Sequence, residues 1–372
     1  MSQRATASRH SHPTIADVAR RARVSKAAVS FAVNGRPGVG DETRARILRV
    51  ARELGWEPSV PARALTHARN GAIGIVLVRR SSDLEADNFF VRFLAGVQRR
   101  LATHDYGALV QVVAPEGGDG GLEVYRRLVK SRRVDGILLT DVLLEDPRLD
   151  LIAESGLPAV VAGRPLGGCP LPVVETEHAR GMAVLVEHLI RLGHRSVAFV
   201  GGDPAYEYVA TRRTVWIETM RGAGLDPGLS ASAFPEDPAG RDATARLLHA
   251  TRRPTAVVYT NDLLALAGLD VARQLGIDVP GDVSIAGFDD SPLAALSTPP
   301  LTTVRVDYSG FGEAAAAALL AEIDGAPRPR FDPAAPELIM RGSSAPPPPG
   351  REGRRPPRPA LSGTAVGTES GA

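Results

Sequence analysis

Sulfur and aromatic rings are scarce in this sequence. Its 372 residues include one cysteine, Cys169, and four methionines, and aromatic residues make up 5%. A lone cysteine excludes an intrachain disulfide and any Cys-rich zinc or iron–sulfur site, and it fits a reducing compartment. With so few rings, the core must be built from Ala, Val, Leu and Ile. Long apolar runs are missing as well. Ala72–Val78 (AIGIVLV) falls far short of the roughly 20 residues that span a bilayer. The opening MSQRATASRHSH has no apolar stretch of the secretory kind. No membrane partner is expected, and a cytoplasmic location is. The usual catalytic signatures are absent too: no Gly-x-x-x-x-Gly-Lys-Ser/Thr loop, no Gly-x-Ser-x-Gly elbow and no metal-ligand spacing among the eight histidines. Gly117–Gly121 reads as a loop before a helix. We therefore expect no catalytic residue, no metal and no cofactor; the chain reads as a non-enzyme.

What is present is globular. Apolar residues are 44% and charged residues 23%, ordinary values for folded domains. The length suits two or three of them. The net charge of +2 hides an asymmetry: the first 70 residues carry thirteen Lys/Arg against five Asp/Glu, so the remainder is net acidic. A basic head on an acidic body is the footprint of a nucleic-acid-binding module joined to something else.

Three short helices are legible in the head. Thr14-Ile15-Ala16-Asp17 resembles a capping box, followed by Ile15, Val18, Ala19 and Ala22 at helical spacing. Ser25 can cap a second helix with Ala28, Val29 and Ala32 inward. A third runs from Asp41 to Leu54, and Gly55 suits its left-handed end. Small residues where the first two helices cross, with Ser25 and Lys26 at the start of the second, fit a helix-turn-helix. A plain three-helix bundle fits the pattern as well. From residue 71 the grammar changes. Apolar runs at 72–78, 109–113, 136–140, 159–162, 197–200, 256–259 and 283–286 alternate with helical segments at 90–104, 121–131, 180–192, 213–223, 242–250 and 262–275. That alternation predicts parallel sheets covered on both faces. There are too many strands for one small sheet, so two doubly wound α/β lobes are expected. Residues 343–372 are Pro, Gly, Ser, Ala and Arg with few apolar groups and read as a disordered tail.

The stretch TIADVARRARVSKAAVSFAVNGRPGVGDETRARILRVARELGWEPSVPARAL, from Thr14 to Leu65, resembles the DNA-binding head of the lac repressor (LacI/GalR) family. LIRLGHRSVAFVGG, TNDLLALAGLDVARQLGIDVPGDVSIAGFDD, PPLTTVRVD and ELIMRGSSAPP resemble that family's ligand-binding core, and the likeness covers about residues 14–346. It implies a disordered lead over 1–13, a helix-turn-helix domain over 14–58, and a hinge helix and linker over 59–70. A two-lobed, periplasmic-binding-protein-like effector-binding and dimerisation domain then covers 71–342, with chain crossings near 165, 298 and 328.

The resemblance also implies roles for single residues. Thr14, Ser25, Lys26, Ala27, Ala28, Ser30, Phe31 and Asn34 would face the major groove or its phosphates. Phe31 stands where arginine is common, and it either touches a thymine methyl or packs. Ser59, Ala62 and Leu65 would form the minor-groove hinge, with Leu65 as the wedge. Arg79, Phe89, Arg164, Arg212, Trp216, Asn261 and Asp289 would bind the effector. Gly163 and Glu177-His178 depart from the family's usual Asp and Asp-Asn. The implied protein is a homodimer on a pseudo-palindromic double-stranded DNA operator. It would be a repressor by default, controlled by a small ligand of the sugar class. With Leu361 the only leucine in 343–372, a tail-mediated tetramer is not expected. Two alternatives are a cytoplasmic sugar-binding protein without DNA readout, and a sugar-processing enzyme, which would need two carboxylates facing across the bond.

Overall fold

A computed structural model describes residues 13–56, 69–78, 88–114, 121–232 and 238–349. Ser59, Ala62, Leu65 and Arg79 lie outside the described residues.

The head is three helices, α1 (Ile15–Ala22), α2 (Lys26–Val33) and α3 (Asp41–Glu53). Their shared core is Val18, Ala19, Ala22, Val29, Ala32, Ile47, Val50 and Ala51, the small and β-branched residues read from the spacing. The Thr14 backbone N–H (2.9 Å) and its hydroxyl (2.7 Å) both donate to Asp17 Oδ2, which fixes the entry to α1. Those two bonds, helped by Arg20, hold the Asp17 carboxyl below its usual range. Ser25 Oγ accepts from the Ala28 N–H at 3.1 Å and caps α2.

Most of the rest is built on two parallel sheets in register with the sequence pattern. In the first lobe, β1 (Ala72–Val78), α4 (Asn88–Ala102), β2 (Gly107–Val113), α5 (Leu122–Ser131), β3 (Gly136–Leu139), α6 (Pro147–Ser155), β4 (Ala159–Ala162) and β5 (Val173–Val174) form a sheet of order β2-β1-β3-β4-β5. In the second, α7 (His178–Arg191), β6 (Val197–Gly201), α8 (Glu207–Gly222), β7 (Ser230–Ser232), α9 (Pro238–His249), β8 (Ala256–Tyr259), α10 (Asp262–Gln274) and β9 (Ser284–Ala286) form a sheet of order β7-β6-β8-β9. Apart from the Tyr259 hydroxyl, the central strands β1, β3, β4, β6 and β8 carry no polar side chain because alternate residues enter opposite helical layers. Ile73, Ile75 and Leu77 face α4, while Val76 faces α5. In β6, Ala198 and Val200 join one layer of the second lobe and Val197 and Phe199 the other.

Beyond β9 the chain forms α11 (Pro292–Leu296), β10 (Thr303–Arg305), α12 (Tyr308–Asp324) and β11 (Glu337–Ile339), with β10 and β11 antiparallel. α12 returns to the first lobe and packs on α4, Leu138 and Val160. The lobes are thus joined at residues 175–177, 306–307 and 325–336. The expected crossings near 165 and 298 are displaced: β5 keeps the chain in the first lobe for ten more residues, and β10 keeps it in the second. The four strands missing from the sequence reading, β5, β7, β10 and β11, are two or three residues long, too short for a periodic signal.

The tail boundary also moves. Ser343 is fully buried; its carbonyl accepts from the Ile285 N–H at 2.8 Å and its hydroxyl donates to the Ile285 carbonyl at 2.6 Å. Ala345 and Ser284 exchange two further bonds, of 3.0 and 3.1 Å. The ordered chain runs past 343 because a polar, Pro-rich segment can satisfy its backbone along the edge of the second lobe. Among the described residues no helix is long and apolar enough to cross a membrane.

Candidate functional site

On the head, Ser25, Lys26 and Ala27 are exposed at the start of α2, and Thr14 is exposed at the start of α1. Ala28 and Ser30 are half-buried. Ser25 Oγ is engaged by the cap, which leaves Lys26 as the cation at this end. Phe31 is 37% exposed, and its ring lies against the Gly38 turn, 3.3 Å from where a Cβ would stand. It packs along one edge and offers the rest to solvent. Asn34 closes α2, its Nδ2 donating to the Ser30 carbonyl at 2.7 Å, so its amide nitrogen is committed to the helix end.

The second site lies where the carboxyl ends of β4, β8 and β9 meet between the lobes, the usual ligand position in doubly wound sheets. Arg212 on α8 is buried, and its guanidinium donates to the Thr260 carbonyl and to the Tyr308 hydroxyl, the latter at 3.3 Å. Asp289 Oδ1 lies 3.8 Å away and accepts from the Tyr308 hydroxyl at 2.6 Å. The guanidinium carbon sits 3.8 Å from the Phe288 ring centroid, a cation–π contact strengthened by burial. Burial pushes the Tyr308 hydroxyl far up, reinforced by Asp289, so it stays a donor.

The turn carrying Asp289 is unusual: φ is 106° at Asp289 and 48° at Asp290, both in the left-handed half of backbone space. Arg305 Nε (2.7 Å) and Arg341 Nη2 (2.6 Å) grip the Asp290 carboxylate. Burial alone would raise its pKa, and the two arginines bring it below the usual range. The first lobe reaches in through α4: Asn88 Nδ2 meets the Asp289 carbonyl at 3.4 Å, and Phe89 packs edge-on to Tyr308 with centroids 4.8 Å apart.

The structure brings Phe89, Arg212 and Asp289 together around Tyr308. Asn261 stands at the same end of β8, its Oδ1 capping α10 through the Leu264 N–H at 2.8 Å. Arg164 is at the rim, its side chain 60% exposed and 3.9 Å from Glu175. Trp216 is a correction. It is 1% exposed and stacks on Phe199 at 5.4 Å inside the second lobe, because one helical turn past Arg212 points into the α8–β6 layer. No ligand face can reach it. Tyr308, Phe288 and Glu207 escaped the sequence reading. Phe288 lies inside the quoted GFDD motif, whereas Tyr308 and Glu207 open helices whose starts the apolar pattern does not mark. Among the described residues, no group of three or more His, Cys, Asp or Glu is placed to hold a metal ion.

A three-helix head with an exposed second-helix start, carried on two α/β lobes with a polar cleft between them, defines the class of ligand-controlled DNA-binding regulators. The family model "Bacterial regulatory proteins, lacI family" matches residues 14–59, and "Periplasmic binding protein-like domain" matches 186–344. The HTH-type transcriptional regulator MalR of Streptomyces coelicolor is 33% identical, covering 91% of this chain and 98% of its own. CelR of Thermobifida fusca is 31% identical, covering 85% and 94%. In structure, the lac repressor dimer bound to operator and the anti-inducer ONPF superposes with a TM-score of 0.78 at 23% identity, covering 90% of this chain and 100% of that one. A CelR–cellobiose complex gives 0.66 at 28%, covering 89% and 100%. The chain belongs to the LacI family of bacterial transcriptional regulators.

Proposed function

We propose that this regulator is a homodimeric repressor whose heads grip a pseudo-palindromic operator and release it in response to a sugar bound between the lobes. The observation that carries the reading is the convergence of Arg212, Asp289 and Tyr308 from the second lobe with Phe89 and Asn88 from the first. A ligand there touches both lobes, and only a ligand with different contacts in two states can shift their balance. The cellobiose-bound neighbour supports a sugar as the chemical class.

In this reading Ser25, Lys26, Ala27 and Phe31 address base edges, and Thr14, Ser30 and Asn34 lie toward the backbone, which positions without specifying sequence. Ser59, Ala62 and Leu65 form the hinge that kinks the operator, a role resting on the sequence match. Arg212 and Asp289 hold ligand hydroxyls, Arg212 through its rigid fork of donors, with Asn261 beside them and Arg164 at the rim. No catalytic step is assigned, and the protein acts in the cytoplasm.

The test is fluorescence anisotropy on an operator selected from random DNA, at fixed salt, with and without a panel of sugars. One sugar is expected to shift the operator affinity by roughly 5- to 150-fold, the usual span of allosteric coupling. Arg212→Ala is expected to erase that shift and leave ligand-free operator affinity unchanged. A surviving shift removes Arg212 from the site, and failure to enrich any palindrome removes the operator reading.

A further inference from the structure

We infer that the cleft is built for an uncharged polyol and that His178, backed by Glu207, reads one of its hydroxyl groups. This rests on the cleft reading above and adds a recognition pair and a ligand charge to it.

His178 is the first residue of α7 and is 9% exposed. Its Nε2 lies 3.9 Å from Glu207 Oε2, and its Nδ1 is buried with no hydrogen-bond partner. The cations that act on the ring come from both lobes, Arg212 from the second and Arg164 from the first. Burial, with those two charges, pushes its pKa down to about 3, and the ring is neutral at any working pH. Glu207, whose carboxyl burial pushes above its usual range, stands on the Nε2 side, and its oxygens favour the tautomer with the proton on Nε2. Nδ1 is then an acceptor, which suits a ligand O–H. The Thr211 hydroxyl holds Glu207 from the other side by donating to Oε1.

His178 is not alone. Thr140 Oγ1 at the end of β3, Thr260 Oγ1 at the end of β8 and Arg212 Nε are also buried without partners. Left so, each costs free energy; a ring of hydroxyls that both donate and accept would satisfy them. The charges argue for neutrality. Arg212 already has Asp289 beside it at 3.8 Å, and Arg164 is paired with Glu175 at the rim. A phosphate or carboxylate on the ligand would meet Glu207 and Asp289 with no uncommitted buried cation among these groups.

Calorimetric titration of the full-length protein tests this, using cellobiose, maltose and other neutral sugars together with glucose 6-phosphate. His178→Leu removes the acceptor at nearly constant shape, and His178→Asn restores an amide group close to the Nδ1 position. For a neutral sugar that binds the wild type, His178→Leu is expected to weaken affinity about tenfold or more, the scale of a lost buried hydrogen bond. His178→Asn is expected to lose less than about threefold, and both variants should melt as wild type does. Equal affinity of His178→Leu and wild type, where Arg212→Ala still abolishes binding, would overturn the role of His178 alone. Equal losses in both folded variants would overturn the Nδ1 acceptor. Tighter binding of the phosphorylated sugar would overturn the uncharged ligand. No sugar binding to wild type would overturn the cleft reading itself, and this inference with it.

Discussion

His194 closes the second lobe at the edge along which Ser343 and Ala345 run. It is 1% exposed, with Nδ1 2.9 Å from Thr255 Oγ1 and Nε2 2.9 Å from the Ala345 carbonyl. Burial pushes its pKa down to about 4, from an ordinary 6.5. His178 and His188 shift the same way, also chiefly through burial. A pKa lowered in the folded state means that acid binds the unfolded chain first. The stability from neutral His194 is therefore complete above about pH 6.5 and is lost as pH falls toward 4. Between pH 7 and pH 5 that loss is on the order of 1–2 kcal/mol. The urea midpoint of the wild type is expected to fall over this interval, and that of His194→Gln to fall less. Equal slopes would show that the lobe edge opens before the imidazole is charged. At this scale the sequence was legible only where a motif fixes a residue's neighbours. Asp289 sits in such a motif, whereas Arg212 was reached only as a position implied by the resemblance; His194 lies in a motif too, but the Ala345 carbonyl that it faces is 151 residues away.

Helices and strands were read more completely, because period and capping are local. α1, α2 and α3 begin where Thr14, Ser25 and Asp41 announce them. β1 matches its apolar run residue for residue. α8 shows the limit: it starts at Glu207, six residues before the helical pattern suggested, since its first turn carries Tyr208 and Thr211 rather than an apolar stripe. The crossing of α4 and α12 was invisible. A Cβ on Gly312 would stand 2.1 Å from the Phe93 carbonyl oxygen, and one on Gly96 would stand 1.9 Å from that of Ser309. Two backbones touch there, and backbone does not yield as a side-chain tip does. Gly312→Ala is expected to cost about 2 kcal/mol or more by denaturant titration, at the upper end of overpacking penalties. A loss under about 0.5 kcal/mol would mean that the two helices slide apart freely.

Across the whole molecule, α12 joins the two ends of the argument. It starts at Tyr308, bonded to Arg212 and Asp289 in the cleft, and runs 17 residues to Asp324, about 25 Å at 1.5 Å per residue. There Arg69, on the chain leading back to the head, donates to Asp324 at 2.5 Å and to the Ile323 carbonyl at 2.9 Å. The lobes also touch directly: the Leu144 N–H donates to the Ala205 carbonyl and the Glu207 N–H to the Val142 carbonyl, each at 2.9 Å. The loop offering those groups is fixed by Arg148, buried with Asp146 at 2.6 Å and bonded to the Asp141 carbonyl. If α12 carries the signal, Asp324→Ala leaves sugar affinity unchanged without DNA and reduces the ratio of operator affinities with and without sugar. By linkage, the effect of DNA on sugar affinity must shrink equally. An unaltered ratio would mean that the signal bypasses this contact; Arg69 and Asp324 are each near half exposed, so the expected change is modest.

Composition and periodicity were enough for a basic three-helix head and two parallel lobes, because burial imposes a residue period that any local window displays; the family came from the resemblance of whole stretches of sequence. Contacts between residues far apart in the chain were not available that way. The placing of Tyr308 on Asp289, of His178 beside Glu207, of Trp216 inside a lobe and of Ser343 along β9 follows from how the layers stack. Stacking sums many weak contacts over the whole chain, and no local window contains that sum.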